Sequence, residues 1–454
     1  MDISTDLNGL LAHPGLRAIL VFDTPNGPAL PHASVPEELW QAKTGPVKSA
    51  FEPVFGVPFN VIYCLGFADH EENQPAHGLY LLELRQPDSA EPLPAGARWL
   101  PLADAQPEKL LPAKLIDAFL RWKAEYTAQT LPGTAWQPPE FRPAWAMPGW
   151  YARAEAWIRE ELARDGQTVL AVEPVKSWCI SVVLRVQITG RSAFFKASRK
   201  LPLFANEGAV MRGLAALYPG HIPAPWGIND EQGWMLLDDL GAILGREPSV
   251  EQQAALWETM SRIQIDSTNR LDHLLRAGCL DRRIAWLQTQ LDGLLADERT
   301  VSPLEPDERE ALFDALPRLQ ALLTELEALP IPPALVHGDL HTGNAVMRDG
   351  KILLFDWTDA AVTHPFFDLM NLYNHPEPGE RAHFAGLVRS LWEQHYPPDA
   401  VQRSMDLARV TYGLYHAISY QSIANHLEES DRPILDAAYL YLRGVLSELR
   451  AFKG

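Results

Sequence analysis

The segment from 335 to 357, LVHGDLHTGNAVMRDGKILLFDW, constrains the possible fold of this chain more than any other. Asp339 is followed five positions later by Asn344, and Asp356 comes twelve positions after Asn344, at the end of an apolar run. Between them, Arg348–Lys351 has Asp-Gly at its centre, which predicts a hairpin turn. The sequence therefore predicts a loop that carries an acid and an amide, then a hairpin, then a second acid where the outgoing strand ends.

These residue types match the requirements of phosphoryl transfer. One carboxylate positions or deprotonates the attacking hydroxyl group, while an amide oxygen and a second carboxylate hold the magnesium ions that neutralise the phosphates. Asp, Asn and Gly are also common in ordinary turns, because they suit the backbone geometry and bonding of turns. The hypothesis therefore depends on the whole pattern, HxDxxxxN followed by a buried strand and Asp-Trp, and not on any one residue.

This pattern resembles the motif of the aminoglycoside phosphotransferase and choline kinase family, which shares the protein-kinase fold. The family pattern continues with Pro and then Asp-Leu, which stand here within 364–369 as HPFFDL. The resemblance implies a catalytic base at Asp339 and magnesium ligands at Asn344 and Asp356. It also implies that ATP and Mg2+ are the cofactors.

The same resemblance implies supporting and nucleotide-binding residues. His337 and Asp368 would support the loop, whereas His341 is expected to be a surface or packing residue and not a ligand. Upstream, a lysine must reach the ATP phosphates and an acid must orient it. Lys196 ends a strand-like run and Glu207 lies eleven positions later in an amphipathic run, so we expect these two residues to form the pair.

Two further segments are expected to contact the nucleotide. A hinge for adenine should follow the apolar strand that begins at Trp234, which places Leu236 and Asp238 against the base. The loop that covers the phosphates would be 174–181, PVKSWCIS, which lacks the glycines that family members often carry. Ser177 and Ser181 could donate hydrogen bonds instead, and the choice between ATP and GTP stays open. A Walker P-loop is excluded because the chain has no GxxxxGK[ST] sequence.

The clearest break in composition is the segment 131–149, which contains five prolines. We expect it to be a linker that packs against a domain through its tryptophans. It separates a small α/β domain, 1–130, from a kinase domain, 150–454, whose N-lobe spans roughly 150–240 and whose C-lobe spans roughly 241–454. The predicted fold class is therefore α+β, a bilobal protein-kinase-like fold with a β-rich N-lobe and a helical C-lobe, preceded by the small domain.

The first domain has its own resemblance to a known fold. Its expected elements are three strands and one helix, at Ala18–Phe22, Phe59–Leu65, Gly78–Leu84 and Ala113–Thr127. With 97–102, ARWLPL, these elements resemble the framework of a Nudix fold. The Nudix signature, RExxEE, needs a run of acids on one helix, and 30–56 has none. The resemblance therefore implies a domain for recognition or packing, without hydrolase activity.

Composition excludes several classes of protein. The formal net charge of −19 argues against nucleic acid as a partner, because phosphate binding requires a basic surface. The three cysteines have no paired spacing, which excludes a disulfide framework and a zinc knuckle. No signal peptide or long apolar run is found. We therefore expect a cytoplasmic protein without membrane association, which phosphorylates a hydroxyl group of a small molecule.

Two other functions stay open. A non-catalytic, nucleotide-binding pseudokinase would explain the glycine-free loop, but the intact Asp339, Asn344 and Asp356 argue against it. An atypical protein kinase would use the same site with a protein hydroxyl group as acceptor. The acceptor itself, whether a sugar, an amino alcohol or an aminoglycoside-like molecule, and the oligomeric state do not follow from the sequence.

Overall fold

The chain divides into two units, Met1–Ala197 and Ser198–Gly454, so the Pro-rich segment 131–149 lies inside the first unit. The computed structural model describes residues 4–13, 15–71, 74–85, 93–131 and 135–453. Residues 150–197 of the expected N-lobe belong to the first unit, and its remaining residues belong to the second. The domain boundaries drawn from the sequence therefore stay a prediction.

The first unit contains two sheets from the N-terminal part of the chain and a third group of strands from its C-terminal part. Its elements are β1 Thr5–Leu11, β2 Ala18–Thr24, β3 Gly27–Ala29, β4 His32–Val35, α1 Thr44–Phe55, β5 Phe59–Ala68, β6 Ala76–Leu84, β7 Ala97–Pro101, α2 Pro107–Leu110, α3 Ile116–Thr130, α4 Trp150–Arg164, β8 Val169–Ser177, β9 Ser181–Ile188 and β10 Arg191–Ser198. The three strands and the helix expected before the linker are all present, within a few residues of their predicted ends.

A mixed four-stranded sheet forms the centre of this part, in the order β4-β1-β6-β5, and β3-β2-β7 forms a second, antiparallel sheet. Strands β1 and β6 are parallel, whereas the other neighbours are antiparallel. Helix α1 buries Val47, Phe51 and Phe55, which recur every four residues and so share one face. Its only acid is Glu52, so the helix lacks a run of carboxylates. The Nudix-like resemblance stays a prediction.

The edge strand β5 contains a bulge at the point where it is bonded to β8. Pairing with β6 shifts between Val61 and Tyr63, which leaves Ile62 as the extra residue. The carbonyl oxygen of Ile62 accepts a hydrogen bond from the side chain of Ser177, at the end of β8. The N-terminal sheet is thereby bonded to the expected phosphate-covering segment inside the same unit.

The second unit is mainly helical. Its elements are α5 Glu207–Leu217, β11 Gly227–Asn229, β12 Trp234–Asp238, α6 Val250–Ser267, α7 Leu271–Ala277, β13 Leu280–Asp281, α8 Ile284–Ala296, α9 Glu298–Val301, α10 Pro306–Ala328, β14 Ala334–Val336, β15 Ala345–Arg348, β16 Lys351–Leu354, β17 Ala361–Thr363, α11 Met370–Tyr373, α12 Pro378–Trp392, α13 Pro398–Ala424, α14 Arg432–Leu435 and α15 Ala438–Ala451. The predicted α+β class is confirmed by these elements.

One large apolar core joins the helices of this unit to its short strands. Helix α6 begins at a capping box in which Ser249 and Gln252 bond each other's backbone, so its start is fixed locally. Helix α13 buries residues on several faces, as expected for a helix surrounded by others. In the described ranges, no helix combines the length and the apolar character that a membrane span requires.

Candidate active site

The loop after β14 contains a glycine, Gly338, that no other residue can replace without a clash. Gly338 has φ +83°, and a Cβ atom there would lie 2.5 Å from Cβ of Asp359 and 2.7 Å from its carbonyl oxygen. The left-handed conformation alone disfavours a side chain, and the close backbone contact excludes one. The HGD sequence is therefore set by the path of the backbone as well as by its acid.

Asp368 holds this turn through hydrogen bonds to its carboxylate. Its carboxylate accepts hydrogen bonds from the backbone N–H groups of His337 (2.9 Å) and Gly338 (2.8 Å), and from Nε2 of Gln264 (3.0 Å). Burial raises the pKa of Asp368 to about 7, although these three donors favour the ionised form. These contacts agree with the support expected of Asp368, and they add Gln264, on α6, which the sequence did not single out.

His337 is fully buried and makes two hydrogen bonds through its ring. Its Nε2 lies 3.0 Å from the carbonyl oxygen of Phe355, and its Nδ1 accepts a bond from the backbone N–H of Asp339 at 3.4 Å. This arrangement requires the neutral ring with its proton on Nε2. Burial lowers the pKa of His337, which agrees with a neutral ring. His337 thus ties the loop to the backbone that follows β16, in line with the expected supporting role.

The expected catalytic pair lies within one short turn. Nδ2 of Asn344 donates to the carbonyl oxygen of Asp339 at 3.0 Å and to its Oδ2 at 3.2 Å. The Asp339 side chain stays 46% exposed, so a substrate can reach it. Burial acts to raise the pKa of Asp339, but the hydrogen bond and charge of His341, 3.5 Å away, bring it below its ordinary value. His341 thus contacts Asp339, and its expected role as a surface or packing residue, not a ligand, stays a prediction.

The second acid follows the predicted hairpin. Strands β15 and β16 pair Arg348 with Lys351, and Asp349 and Gly350 at the tip both have positive φ, as a two-residue hairpin turn requires. Asp356, just after β16, also has a positive φ of +65°, which is uncommon for a residue with a side chain.

The oxygen donors of Asn344 and Asp356 suit a hard divalent cation. Because Asn344 turns its nitrogen towards Asp339, its oxygen is directed elsewhere, and Asp356 accepts a hydrogen bond from the hydroxyl group of Thr358 at 3.2 Å. An amide oxygen and a carboxylate are ligands of the type that Mg2+ prefers. Among the described residues there is no cluster of three or more His, Cys, Asp or Glu side chains that could hold a metal.

Asp359 is a titratable residue of the site that the sequence alone does not indicate. It lies three positions after Asp356, and the hydroxyl group of Thr358 contacts both carboxylates at 3.2 Å. Burial, with the negative charges of Asp339 and Asp356, raises the pKa of Asp359 to about 7, whereas Arg282 opposes the shift. The acid in DWTD was visible in the sequence, but its proximity to Asp339 depends on the fold.

An aromatic group on α13 and α15 is also within electrostatic range of Asp339. Tyr441 stacks on His416 with 5.4 Å between ring centroids and packs against Tyr420 at 5.1 Å. Burial, helped by the charge of Asp339, raises the pKa of Tyr420 and of Tyr441. These rings lie far from the motif in sequence, and no local pattern identifies them.

The second unit contains three of the expected nucleotide contacts, Glu207, Leu236 and Asp238. Glu207 is the first residue of α5, and its buried carboxylate accepts a hydrogen bond from the hydroxyl group of Ser198 at 3.0 Å. Leu236 is inside β12, and its carbonyl oxygen accepts a hydrogen bond from the backbone of Trp226 at 2.8 Å. Asp238 is the last residue of this strand, and the adenine contacts expected at Leu236 and Asp238 stay a prediction.

The first unit contains the other expected contacts. Lys196 lies on β10, as the sequence predicts, and its pairing with Glu207 stays a prediction. Ser181 begins β9, and its hydroxyl oxygen accepts a hydrogen bond from Nε1 of Trp178 at 2.8 Å. The turn Ser177–Ser181 joins β8 to β9 without a glycine.

Ser177 has a different role from the one expected. Its hydroxyl group donates to the carbonyl oxygen of Ile62 at 2.8 Å, and its backbone N–H donates to the carbonyl oxygen of Ala42 at 2.8 Å. Only 1% of the residue is exposed. A hydroxyl group has one proton to donate, so this one is already used. We therefore correct its assignment from a phosphate contact to a residue that fastens β8 to the N-terminal sheet.

Comparisons with known proteins relate the chain to one family. Residues 171–400, just over half of the chain, match the model of a family described as the phosphotransferase enzyme family. None of the curated proteins matches the chain. Among solved structures, choline kinase LicA from Streptococcus pneumoniae is 14% identical, with 66% of this chain and 100% of that chain covered and a TM-score of 0.47. For macrolide 2'-phosphotransferase MphH from Brachybacterium faecium these values are 18%, 62%, 97% and 0.43.

Proposed function

Because the chain belongs to the phosphotransferase enzyme family, we propose that it is a kinase that transfers the γ-phosphate of ATP to a hydroxyl group of a small molecule. The observation that carries the proposal is the pair formed by Asp339 and Asn344, in which the amide fixes the carboxylate and keeps its own oxygen for a metal. Phosphoryl transfer is catalysed mainly by positioning and charge compensation, which a preorganised pair of this kind supplies.

Asp339 is the proposed catalytic base. Its lowered pKa keeps it ionised near neutral pH, so it can orient the acceptor hydroxyl group and take its proton as the bond to phosphorus forms. Asn344 and Asp356 are the proposed ligands of Mg2+. The bound ion would neutralise the negative charge of the phosphates.

The nucleotide contacts are proposed on the family resemblance. Lys196 would bind the phosphates, Glu207 would orient it, and the backbone at Leu236 and Asp238 would contact adenine. Ser181 stays a candidate for the phosphate turn, whereas Ser177 does not. ATP is the proposed donor, with GTP as the comparison.

The acceptor is proposed to be a hydroxyl-bearing small molecule, such as a sugar, an amino alcohol or an aminoglycoside-like compound. The aromatic group around Tyr441 and the titratable Asp359 would form its surroundings, because both interact electrostatically with Asp339. Protonated Asp359 could donate a hydrogen bond to such a molecule, and ionised Asp359 could accept one.

Calorimetry with Mg-ATP and Mg-GTP tests the nucleotide site. We expect binding in the micromolar to millimolar range, about −8 to −4 kcal/mol. Asp356→Ala should abolish the magnesium-dependent part, whereas Asp314→Ala, an exposed acid on α10, should bind like the wild type. Unchanged binding by Asp356→Ala would show that the metal site is assigned wrongly, and no binding by the wild-type chain would favour the pseudokinase.

Turnover with a panel of hydroxyl acceptors tests the base. Asp339→Ala should lower turnover by about 10²-fold or more, as the loss of a positioned acid–base group does, while nucleotide binding is retained. Activity that survives this substitution would refute the mechanism. Phosphate found on the protein itself, and on no small molecule, would favour the atypical protein kinase.

A further inference from the structure

A cleft in the first unit is not used by the proposed kinase site. It has a volume of about 400 Å³, and its walls come from β5 and β6, from the last turns of α3, and from the segment 142–148. This volume lies within the usual range for small-molecule sites, and its mixture of apolar walls and few polar groups is also typical of them.

Aromatic and aliphatic side chains form most of the cleft wall. Trp122 and Tyr126 are stacked, with 5.1 Å between ring centroids and 20° between ring planes, and Trp136 lies on the same cleft. Ile62 and Met147 add aliphatic surface. These walls suit a ligand with an apolar body, and the rings attract a positive charge placed over their faces.

The polar groups of the cleft have a net negative charge. Arg142 donates to both carboxylate oxygens of Glu125, at 3.0 and 2.8 Å, so these two charges compensate each other. Glu83 accepts a hydrogen bond from the backbone N–H of Gly149 at 2.6 Å.

The environment of Glu83 favours a positive partner. Burial raises the pKa of this carboxyl group, while the Gly149 hydrogen bond, the positive charge of Arg153 and the amide of Asn60 act against the shift. A carboxylate that burial leaves undercompensated gains from a cation that can donate hydrogen bonds to it.

We propose that this cleft binds a small organic ammonium ion with an aromatic body, whose ammonium group donates to Glu83 and whose ring packs on Trp122 and Tyr126. The site is separate from the proposed transfer of phosphate and does not depend on it. Its wall includes Ile62 and 146–148, next to the groups that bond Ser177 and Trp178, namely the carbonyl of Ile62 and Nε1 of Trp145. A bound ligand would therefore contact the residues that hold the turn between β8 and β9.

Three probes of nearly equal size and different charge test the proposal. These are 2-phenylethylamine, which is positive at neutral pH, 2-phenylethanol, which is neutral, and phenylacetate, which is negative. Binding to the full chain is measured by calorimetry and by ligand-detected NMR. We expect the amine to bind about tenfold or more tightly than the alcohol, because a charge-assisted hydrogen bond is stronger than a neutral one, and phenylacetate to bind most weakly.

Glu83→Gln is the decisive variant. Glutamine keeps an oxygen that can accept from Gly149 but removes the charge, so we expect amine and alcohol to bind about equally. Asp104→Asn, an exposed acid of the same unit outside the cleft, is the matched control and should keep the preference for the amine. Circular dichroism and thermal unfolding of both variants exclude misfolding as the cause.

Three results would overturn the proposal: no binding of the amine by a folded wild-type chain, equal binding of amine and phenylacetate, or a preference for the amine that survives Glu83→Gln. Each can occur whether or not the chain binds Mg-ATP. Failure of this site is therefore distinguishable from failure of the kinase function.

Discussion

Replacing Asp368 by asparagine should loosen the catalytic loop by a predictable amount. Oδ2 of Asp368 accepts from the backbone of His337 and from Gln264, and Oδ1 accepts from the backbone of Gly338. Asparagine has one accepting oxygen. In its better orientation, that oxygen keeps the two bonds of Oδ2, and the amide NH2 then faces the N–H of Gly338, where the present bond is 2.8 Å long.

The expected loss in the free energy of unfolding follows from the number of hydrogen bonds that asparagine cannot make. One buried N–H group loses its acceptor and meets another donor, and leaving one buried donor unsatisfied costs about 1–3 kcal/mol. The other orientation loses two bonds and costs more. The experiment is best done at pH 8, because burial raises the pKa of Asp368 to about 7 and the wild-type group must be ionised for the comparison.

Hydrogen exchange of a peptide that contains His337 and Gly338 measures the effect locally, and urea denaturation measures it for the chain. A loss of 1.4 kcal/mol corresponds to about tenfold faster exchange of amides that open with this loop. Asp314→Asn, on the exposed face of α10, is the control and should change stability by less than about 0.5 kcal/mol. Exchange and stability that match the wild type in Asp368→Asn would refute the supporting role of this carboxylate.

Three further substitutions test other parts of the structure. Gly338→Ala would bring a methyl group within 2.5 Å of a neighbouring Cβ, so turnover and stability should both fall. The control is Gly241→Ala, also at positive φ but in open space, which should lower stability only by the backbone strain of about 1 kcal/mol. Burial lowers the pKa of His364 to about 3, whereas a histidine in the unfolded chain has a pKa of about 6.5. Protonation therefore favours the unfolded chain as pH falls below about 6.5. His364→Asn does not titrate, so the free energy of unfolding that is lost between pH 7 and 5, measured with urea, should be about 2 kcal/mol smaller in this variant. Ser177→Ala leaves the carbonyl of Ile62 without its donor and should lower stability by about 1 kcal/mol without raising the KM for ATP. A higher KM at unchanged stability would instead support a contact between Ser177 and the phosphates.

The sequence predicted the hairpin between the two acids, because its turn lies within one continuous segment. The turn at Asp349-Gly350 involves neighbours along the chain, and turn chemistry specifies it. The hydrogen bond between Asn344 and Asp339 is also local, but only the structure reveals it. The supporting position of Asp368 was expected because the family motif extends that far. Its partner Gln264 lies 104 residues away, and no spacing rule connects the two.

The errors have the same origin. Ser177 was assigned to the nucleotide because a hydroxyl group in a glycine-free turn is a plausible donor. Its acceptor in the structure, the carbonyl of Ile62, is 115 residues away, on the edge strand β5. Asp359 was passed over because a third acid after Asp-Trp has no meaning until the backbone at Gly338 brings it near Asp339. Tertiary contacts decide both cases.

The backbone at Asp356 links strain in this loop to its proposed chemistry. A left-handed conformation costs a residue with a side chain roughly 1–2 kcal/mol, and glycine would avoid that cost. The strain persists because both neighbours are fixed: the N–H of Phe355 bonds the carbonyl of Asn344 at 3.2 Å, and Trp357 is fully buried, with Nε1 bonded to the carbonyl of Leu354 at 3.1 Å. A strained residue held this firmly is common where a side chain must point in one direction for function. The same contact of Phe355 ties the segment before Asp356 to Asn344, so the two proposed metal ligands belong to one hydrogen-bonded structure. A substitution at either residue should therefore also change how well the remaining ligand binds Mg2+.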